Sequence, residues 1–321
     1  MKKCLLCYEL LDVAAQDEFH VKCSRKIFST PRPPEVETSL ADIKSIAKQN
    51  TSDRIAVAGV QAKVSIGLKV SKTNTGESNA PRRLTLGIGG QYLLKAPTTE
   101  FPYMVELEDL TMHLAEICKI KVASHGLIRL ASGELAYITK RFDREGKEKL
   151  AQEDLCQLSG LLTEYKYNSS MEKIGKVIKA NSDNSGLDAV TFFEVAVFSF
   201  LTGNADMHAK NFSLLTSKDG LTSLSPAYDL LATKFVTPDD PEESALPIHG
   251  KKSNLKREDF IALGETLEIP SAAIKKSISK FKANEGKMSA LIGKSFVSDG
   301  LKRDFVHLVE ERMARLVTGL P

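Results

Sequence analysis

The feature that most constrains the fold is the apolar segment 187–204, LDAVTFFEVAVFSFLTGN. As a helix it is apolar on most faces, with Val190, Phe193, Val197, Phe198 and Leu201 among its apolar residues. A helix that is hydrophobic nearly all round has to be buried among other elements. A chain of 321 residues with 42% hydrophobic content can supply that surrounding core. We therefore expect this segment to be the central helix of a helical domain.

A polar loop follows this helix directly, within the sequence GNADMHAKNF. We call Gly203–Asn211 the polar loop; it contains Asp206, His208 and Lys210. The next residues, NFSLL and LTSLSPAYD, predict a hairpin around TSKDG whose far end returns Asp229 towards the loop. Asp, His and Asn are ordinary turn formers, so a polar turn without a ligand is one interpretation. The other is phosphoryl transfer, which needs a carboxylate beside the attacking hydroxyl and two oxygen ligands for Mg²⁺.

The front half of the chain predicts strands followed by a helix. The segments AKVSIGLKV, RRLTLGI and QYLLKAP read as three strands, and MVELEDLTMHLAEICKI reads as a helix. Two further strands, GLIRL and LAYITKRFD, are joined by a turn containing Gly133. Lys95 ends the third strand, where a lysine either extends to the solvent or faces an anion. Protein kinases pair such a lysine with a helix glutamate, for which Glu106 and Glu108 are the candidates.

The Gly-rich element of a kinase is not recognisable here. The stretch RIAVAGVQAKVSI has Gly59 and then only Gly67, which does not match GxGxxG.

From residue 150 onwards the apolar spacing predicts helices at 151–162, 170–181 and 187–204. Several antiparallel strands with one helix, followed by a helical half, resemble the two lobes of a kinase.

The N-terminus carries a metal-binding pattern. Cys4 and Cys7 are followed after twelve residues by His20 and then by Cys23. Two ligands from a tight turn and two from a helical turn suit tetrahedral Zn²⁺ in a closed, structural site. A chance grouping of thiols is the alternative, whereas a redox CxxC would normally follow a strand and open a long helix. The proline-rich stretch 29–38 then predicts a linker, with a domain boundary near residue 35.

Composition restricts the possible partners. A net charge of +3 gives no field strong enough to imply nucleic-acid binding. A nucleic-acid site formed by basic tracts such as GKKSNLKR is a further alternative, but no aromatic stacking residues accompany them. We expect no membrane-spanning stretch, no export signal and no disulfide framework, and therefore a cytoplasmic protein without membrane contact.

Several motifs together resemble one family. VAGVQAK, YLLKAP, KRFDR, QEDLCQ, GNADMHAKNF and SPAYDLL occur in this order, and IHGKKSNLKREDF extends the similarity beyond them. The chain over residues 50–320 resembles HipA-type serine/threonine kinases, the toxins of bacterial toxin–antitoxin modules. The resemblance implies ATP and Mg²⁺ as cofactors, a protein substrate such as an aminoacyl-tRNA synthetase, and a helix-turn-helix antitoxin through which DNA is contacted only indirectly.

The resemblance also implies roles for individual residues. Asp206 would be the catalytic base, and Asn211 and Asp229 the magnesium ligands. Lys95 would bind phosphate, with Glu108 rather than Glu106 as its helix partner. The remaining implied nucleotide-binding positions are Gly59, Val60, Gln61 and Lys63 in the phosphate-covering loop, Lys140 and Phe142 in the hinge segment Ile138–Phe142, and His208 and Lys210 in the polar loop.

The chain departs from the family pattern at two places. Family members carry a serine in the phosphate-covering loop that they phosphorylate themselves, whereas this chain has Ala56. We therefore expect no self-inactivation at this position; Thr51, Ser52 and Ser65 are the alternative acceptors nearby. The chain also resembles short toxins without the N-terminal β-rich subdomain, whose counterpart is a separate small protein.

The expected fold class is α+β. We expect a bilobal kinase-like fold with a zinc-knuckle-like segment and linker at 1–35, a β-rich nucleotide-binding lobe at 36–148 and a helical catalytic lobe at 149–321. The expected function is that of a serine/threonine protein kinase toxin. The alternative is a nucleotide-binding regulatory module that acts by binding proteins, although such a module has no need of the base Asp206.

Overall fold

The computed structural model describes residues 2–50, 61–70, 82–86, 90–146 and 148–318. It divides into two compact units. The first contains Met1–Asp109, Ala123–Arg141 and Lys294–Phe296, and the second contains Leu110–Val122, Phe142–Gly293 and Val297–Pro321. The domain boundaries near residues 35 and 148 stay predictions.

A six-stranded sheet forms the centre of the first unit. Its strands are β1 (Glu35–Val36), β2 (Lys63–Val70), β3 (Arg82–Leu86), β4 (Tyr92–Lys95), β5 (His125–Arg129) and β6 (Leu135–Lys140). Their order in the sheet is β1-β3-β2-β4-β6-β5. Neighbours run antiparallel, except that β1 pairs in parallel with β3. The five strands expected from the sequence, β2 to β6, are thus confirmed.

Three helices accompany this sheet. They are α1 (Val21–Phe28), α2 (Leu40–Asn50) and α3 (Met104–Ile117), of which α3 begins in the first unit and ends in the second. A capping box begins α2, because Ser39 N donates to Asp42 Oδ2 at 2.9 Å and Asp42 N donates to Ser39 Oγ at 3.2 Å. It satisfies two backbone donors at the start of the helix.

The N-terminal residues share one hydrophobic core with the sheet. Leu5, Ile27 and Phe28 are buried in the same cluster as Leu94 and Leu127. The ring of Phe28 lies 5.9 Å from that of Tyr92, whose hydroxyl donates to Ile27 O at 3.1 Å. The first residues of the chain are therefore part of the folded unit.

The second unit is mainly helical, with short strands. Its helices and strands are β7 (Arg144–Glu145), β8 (Glu148–Lys149), β9 (Ala151–Asp154), α4 (Leu155–Leu158), α5 (Met171–Asn181), α6 (Ser185–Thr202), β10 (Ser213–Thr216), β11 (Thr222–Leu224), α7 (Arg257–Thr266), α8 (Ser271–Lys294) and α9 (Asp299–Val317). Strands β9, β10 and β11 form an antiparallel sheet in the order β11-β10-β9. The hairpin predicted around TSKDG is β10–β11.

Helix α6 is the apolar segment on which the fold depends. Phe192, Phe193, Val197, Phe198 and Leu201 are all buried. By length and composition α6 would also pass for a membrane span, which the sequence did not lead us to expect, but 67% of its residues are buried inside the structure. That burial is typical of a core helix, as predicted.

One predicted helix is wrong in its first part. The segment 151–162 begins as strand β9, and only Leu155–Leu158 is helical. Residues 151–154 pair antiparallel with β10, and this pairing gives their backbone groups hydrogen-bond partners in the sheet. Asp154 then caps α4, accepting from Gln157 N at 2.9 Å while its own N–H donates to Gln157 Oε1 at 3.1 Å. The sheet pairing thus overrides the helical spacing of the apolar residues.

Candidate active site

The first unit brings Lys95 and Glu108 together in its interior. Lys95 ends strand β4 and lies 2.5 Å from Glu108 Oε1 on helix α3. Lys95 is 6% exposed and Glu108 1% exposed, and Lys95 Nζ also lies 5.4 Å from the centre of the Tyr137 ring. Two buried charges of opposite sign need each other, since an unpaired one would be costly in this environment. Glu108 is thus the partner of Lys95, as the resemblance implies.

The other predicted residues of the first unit lie around strand β4. Gln61 is buried and donates through Nε2 to Ala96 O at 2.8 Å. Lys63 is the cross-strand partner of Lys95, and Lys140 that of Tyr92. The predicted positions Ala56, Gly59 and Val60, together with Thr51 and Ser52, lie outside the described residues.

The polar loop of the second unit is held by its own backbone. Gly203 ends α6 in the left-handed conformation, with φ +74°. Asp206 N donates to Asn204 Oδ1 at 3.1 Å, and His208 N donates to Asp206 O at 2.8 Å. Asn211 Nδ2 donates to the same carbonyl at 2.9 Å. This last bond uses the amide nitrogen of Asn211 and leaves its Oδ1 as the atom that can bind a cation.

Asp206 has a partner from a distant segment. The hydroxyl of Tyr167 donates to Asp206 Oδ1 at 2.6 Å, and the Tyr167 ring packs edge-on against His208 with centroids 5.1 Å apart. Burial and this hydrogen bond to Asp206 together raise the pKa of Tyr167, which therefore stays a donor. One carboxylate oxygen of Asp206 is thereby fixed in direction.

The pKa of His208 depends on the burial of its ring and on the charges around it. Burial lowers the pKa of its imidazole, Lys166 acts in the same direction, and the negative charges of Asp206 and Asp229 oppose both. His208 is therefore neutral at pH 7, and the fields of both aspartates reach it. Among the described residues, none forms a hydrogen bond with the buried Nδ1 atom of His208.

A tyrosine connects the hairpin end to the polar loop. Tyr228 donates to Lys210 O at 2.8 Å and shares a 2.6 Å hydrogen bond with Ser213 Oγ. Phe142, the predicted hinge residue, packs on the Tyr228 ring with centroids 5.4 Å apart. Asp229 follows Tyr228 and has a φ of +58°, a conformation that non-glycine residues adopt rarely. Strain of this kind accumulates at functional sites.

Lys210 is paired within the same unit. Its Nζ lies 3.3 Å from Asp154 Oδ2 and 3.4 Å from Thr163 Oγ1. Its charge is therefore already compensated in part by Asp154, a residue that the sequence did not single out for this role.

Several contacts of the site carry no sequence signal. Tyr167 lies 39 residues before Asp206 in a segment without a recognisable motif. Tyr228 stands in SPAYDLL, where only the aspartate attracted attention. A buried tyrosine hydroxyl needs a hydrogen-bond partner, but no spacing rule in the sequence identifies which residue provides it.

The four predicted zinc ligands lie together in the first unit. The ligand atoms of Cys4, Cys7, His20 and Cys23 are all within 4.8 Å of one another.

Comparison with known proteins identifies the family. The model of the HipA-like C-terminal domain matches residues 55–287, which is most of the chain. A curated protein of Sinorhizobium fredii named "Putative kinase Y4dM" is 29% identical over 271 residues, covering 78% of this chain and 63% of its own length. The serine/threonine-protein kinase toxin HipA of Shewanella oneidensis is 25% identical over 200 residues, covering 56% of this chain and 43% of its own length. The chain thus spans about two fifths to two thirds of these relatives.

Solved structures show the same fold. HipA from the Shewanella oneidensis complex of HipA, HipB and operator DNA superimposes with a TM-score of 0.65 at 20% identity, covering 86% of this chain and 70% of its own. The Helicobacter pylori proinflammatory kinase CtkA gives a TM-score of 0.52 at 15% identity, covering 79% of this chain and 94% of its own. With the family match, these similarities agree with the resemblance that the motifs indicate. This chain belongs to the HipA-like C-terminal domain family.

Proposed function

We propose that this protein is an ATP-dependent serine/threonine protein kinase that acts as a toxin. The observation that carries the proposal is the polar loop. There, Asp206 is held by Tyr167, and Asn211 is oriented by its bond to Asp206 O. The negative charges of Asp206 and Asp229 both act to raise the pKa of His208. The buried pair of Lys95 and Glu108 supplies the other part that phosphoryl transfer requires.

The residues present fit a magnesium nucleotide. Asn211 Oδ1 and the Asp229 carboxylate are hard oxygen ligands of the kind that Mg²⁺ prefers. The buried Nδ1 of His208 is a polar atom with unused hydrogen-bonding capacity among the described residues. The nucleotide would supply the transferred phosphoryl group, and the cation would neutralise the charge that develops on it.

Each residue then has a defined task. The Asp206 carboxylate, whose Oδ1 accepts from Tyr167, would orient the acceptor hydroxyl and accept its proton. Asn211 and Asp229 hold the cation. Lys95 binds phosphate oxygens, and Glu108 keeps the ammonium group of Lys95 in place. Neutral His208 adds a hydrogen-bonding group without adding charge.

The partners of this chain follow only from its relatives. One neighbouring structure contains HipA together with HipB and operator DNA. We propose by analogy that a DNA-binding antitoxin restrains this protein too, and that the substrate is a component of translation such as an aminoacyl-tRNA synthetase in the cytoplasm.

The proposal is tested by phosphate transfer. The purified protein is incubated with γ-labelled ATP, Mg²⁺ and a bacterial extract, and labelled proteins are identified with their modified residues. We expect label on serine or threonine of a discrete protein, lost with the variant Asp206→Ala. ATP binding without any transfer would instead favour the nucleotide-binding module.

A further inference from the structure

The cysteine and histidine cluster has the dimensions of a tetrahedral metal site. His20 Nδ1 lies 3.3 Å from Cys7 Sγ and 4.0 Å from Cys23 Sγ. Ligands that bind one Zn²⁺ at ordinary Zn–S and Zn–N distances are about 3.5–3.8 Å apart in a tetrahedron. The two distances bracket this separation. All five cysteines of the chain are free, so the cluster is not a disulfide.

The protein also orients the ligands. His20 Nε2 lies 3.1 Å from Leu10 O, and because a carbonyl oxygen only accepts, Nε2 must carry the proton. His20 Nδ1 therefore directs its lone pair at the thiols, the arrangement that metal-binding histidines use. His20 N donates to Cys4 Sγ at 3.5 Å, which favours a thiolate there. His20 O accepts from Cys23 N at 2.9 Å at the start of α1, which fixes the fourth ligand.

We infer that Cys4, Cys7, His20 and Cys23 bind one structural Zn²⁺ that fixes the N-terminal segment on the sheet and, through Tyr8, positions helix α3. Four protein ligands leave no coordination position for a substrate, so the metal is structural. Thiolate and imidazole ligands select Zn²⁺ over Mg²⁺ or Ca²⁺.

The N-terminal segment that carries the four ligands, residues 4–23, covers an edge of the sheet. Strand β5 is the last strand of the six, and its Leu127 N donates to Leu5 O at 3.2 Å. Gly126 lies against the same segment, since a Cβ atom there would be 3.1 Å from Leu6 Cδ1. Unpaired edge strands invite pairing with other chains, so the segment has a protective role. A bound metal would add its binding free energy to the hydrophobic packing that already holds this segment on the sheet.

Tyr8 connects the zinc ligands to helix α3. Tyr8 follows Cys7, is buried, and donates to Asp109 Oδ2 at 2.6 Å. The other oxygen of Asp109 lies 2.7 Å from His125 Nδ1 on strand β5. Asp109 directly follows Glu108, the partner of Lys95. The metal thus holds the turn of α3 that carries the glutamate; its relevance to catalysis rests on the proposed function, but the contact does not.

The metal content of the full-length protein is the first test. We expect about one zinc per chain by elemental mass spectrometry. When Co²⁺ replaces the zinc, we expect the absorption bands of tetrahedral Co²⁺ with thiolate ligands. Cys23→Ser should lose the metal, and the matched control Cys156→Ser, a buried thiol outside the cluster, should keep it. His20→Cys should also keep the metal, because four thiolates form an equally good zinc site. This variant tests the site if Cys23→Ser does not fold. Wild-type protein without zinc after reconstitution with ZnCl₂ overturns the site.

Hydrogen exchange tests the connection to α3 without any activity measurement. Removal of zinc with a chelator should speed exchange of the α3 backbone amides at least about tenfold, while helix α5 in the second unit should keep its protection. Unchanged exchange in α3 overturns the positioning role of Tyr8. Because neither test uses ATP, a failure here and a failure of the proposed kinase activity are distinguishable.

Discussion

The hydroxyl of Tyr167 donates a 2.6 Å hydrogen bond to Oδ1 of Asp206. Tyr167→Phe removes this bond and keeps the ring that packs on His208. A hydrogen bond to a charged group contributes roughly 1.5–3 kcal/mol, so we expect kcat for phosphate transfer to fall about tenfold or more. The KM for ATP should be unchanged, because Tyr167 contacts the proposed base and not the proposed ATP-binding residues. Steady-state kinetics measure both, with the exposed Tyr165→Phe as control; an equal loss in both variants would contradict the role of Tyr167.

The buried pair of Lys95 and Glu108 gives a second prediction. Glu108→Gln removes the charge that holds the Lys95 ammonium, and we expect kcat/KM for ATP to fall at least about 100-fold. Glu106→Gln, two residues earlier on the same helix, is the matched control and should change it less than about threefold. Burial raises the pKa of Glu106, so its carboxyl group is the less suited of the two to carry a charge. A larger effect at Glu106 would reverse the assignment.

Gly203 at the end of α6 predicts a stability effect. Its φ is +74°, and a Cβ atom would lie 2.8 Å from Leu308 Cδ2 and 3.0 Å from Lys234 Cβ. Gly203→Ala should therefore lower the free energy of unfolding by about 2–4 kcal/mol, from backbone strain and crowding together. Gly220→Ala, with φ +81° and no atom within 4 Å, should cost only about 1 kcal/mol. Urea unfolding measures both; equal losses would show that crowding at Gly203 has no effect.

Glu243 predicts a pH dependence of stability. Burial raises its pKa, but the two hydrogen bonds from Arg315, at 2.6 and 2.9 Å, and one from Leu255 N outweigh burial and lower it below the ordinary 4.5. A lowered pKa stabilises the fold above the unfolded value and loses that contribution as pH falls through the folded value. Glu243→Gln should cost about 2 kcal/mol at pH 7 and progressively less below about pH 4.5. A difference from wild type that is constant between pH 7 and pH 3 would contradict this.

Local patterns predicted most of the elements but few of the contacts. Strand-forming residues bounded by turn residues indicated strands β2 to β6, and the apolar residues on most faces of α6 indicated a core helix, because these patterns reflect burial directly. The strand at Ala151–Asp154 was missed because it forms by pairing with β10, whose paired residues lie 59 to 65 positions further along the chain. Pairing of this kind leaves no periodic signal in the segment itself.

The candidate site shows the same division. The motifs pointed to Asp206, Asn211 and Asp229. Spacing along α3 left Glu106 and Glu108 both open, the family resemblance favoured Glu108, and the structure places Lys95 against Glu108. Tyr167 contacts Asp206 from a distant segment, as Asp154 contacts Lys210 and Tyr8 contacts Asp109, the neighbour of Glu108. These pairings depend on the tertiary fold. Sequence therefore points to candidate chemical groups more readily than to the residues that contact them.

The most direct test of the account compares wild type and Asp206→Asn in single-turnover transfer from ATP, with ATP binding measured by calorimetry on the same samples. The proposal predicts that the variant binds Mg·ATP with an affinity within about twofold of wild type and transfers phosphate at least about 100-fold more slowly. The substitution removes only the carboxylate proposed to accept the proton of the acceptor hydroxyl. Equal transfer rates in the two proteins would contradict the claim that Asp206 is the catalytic base.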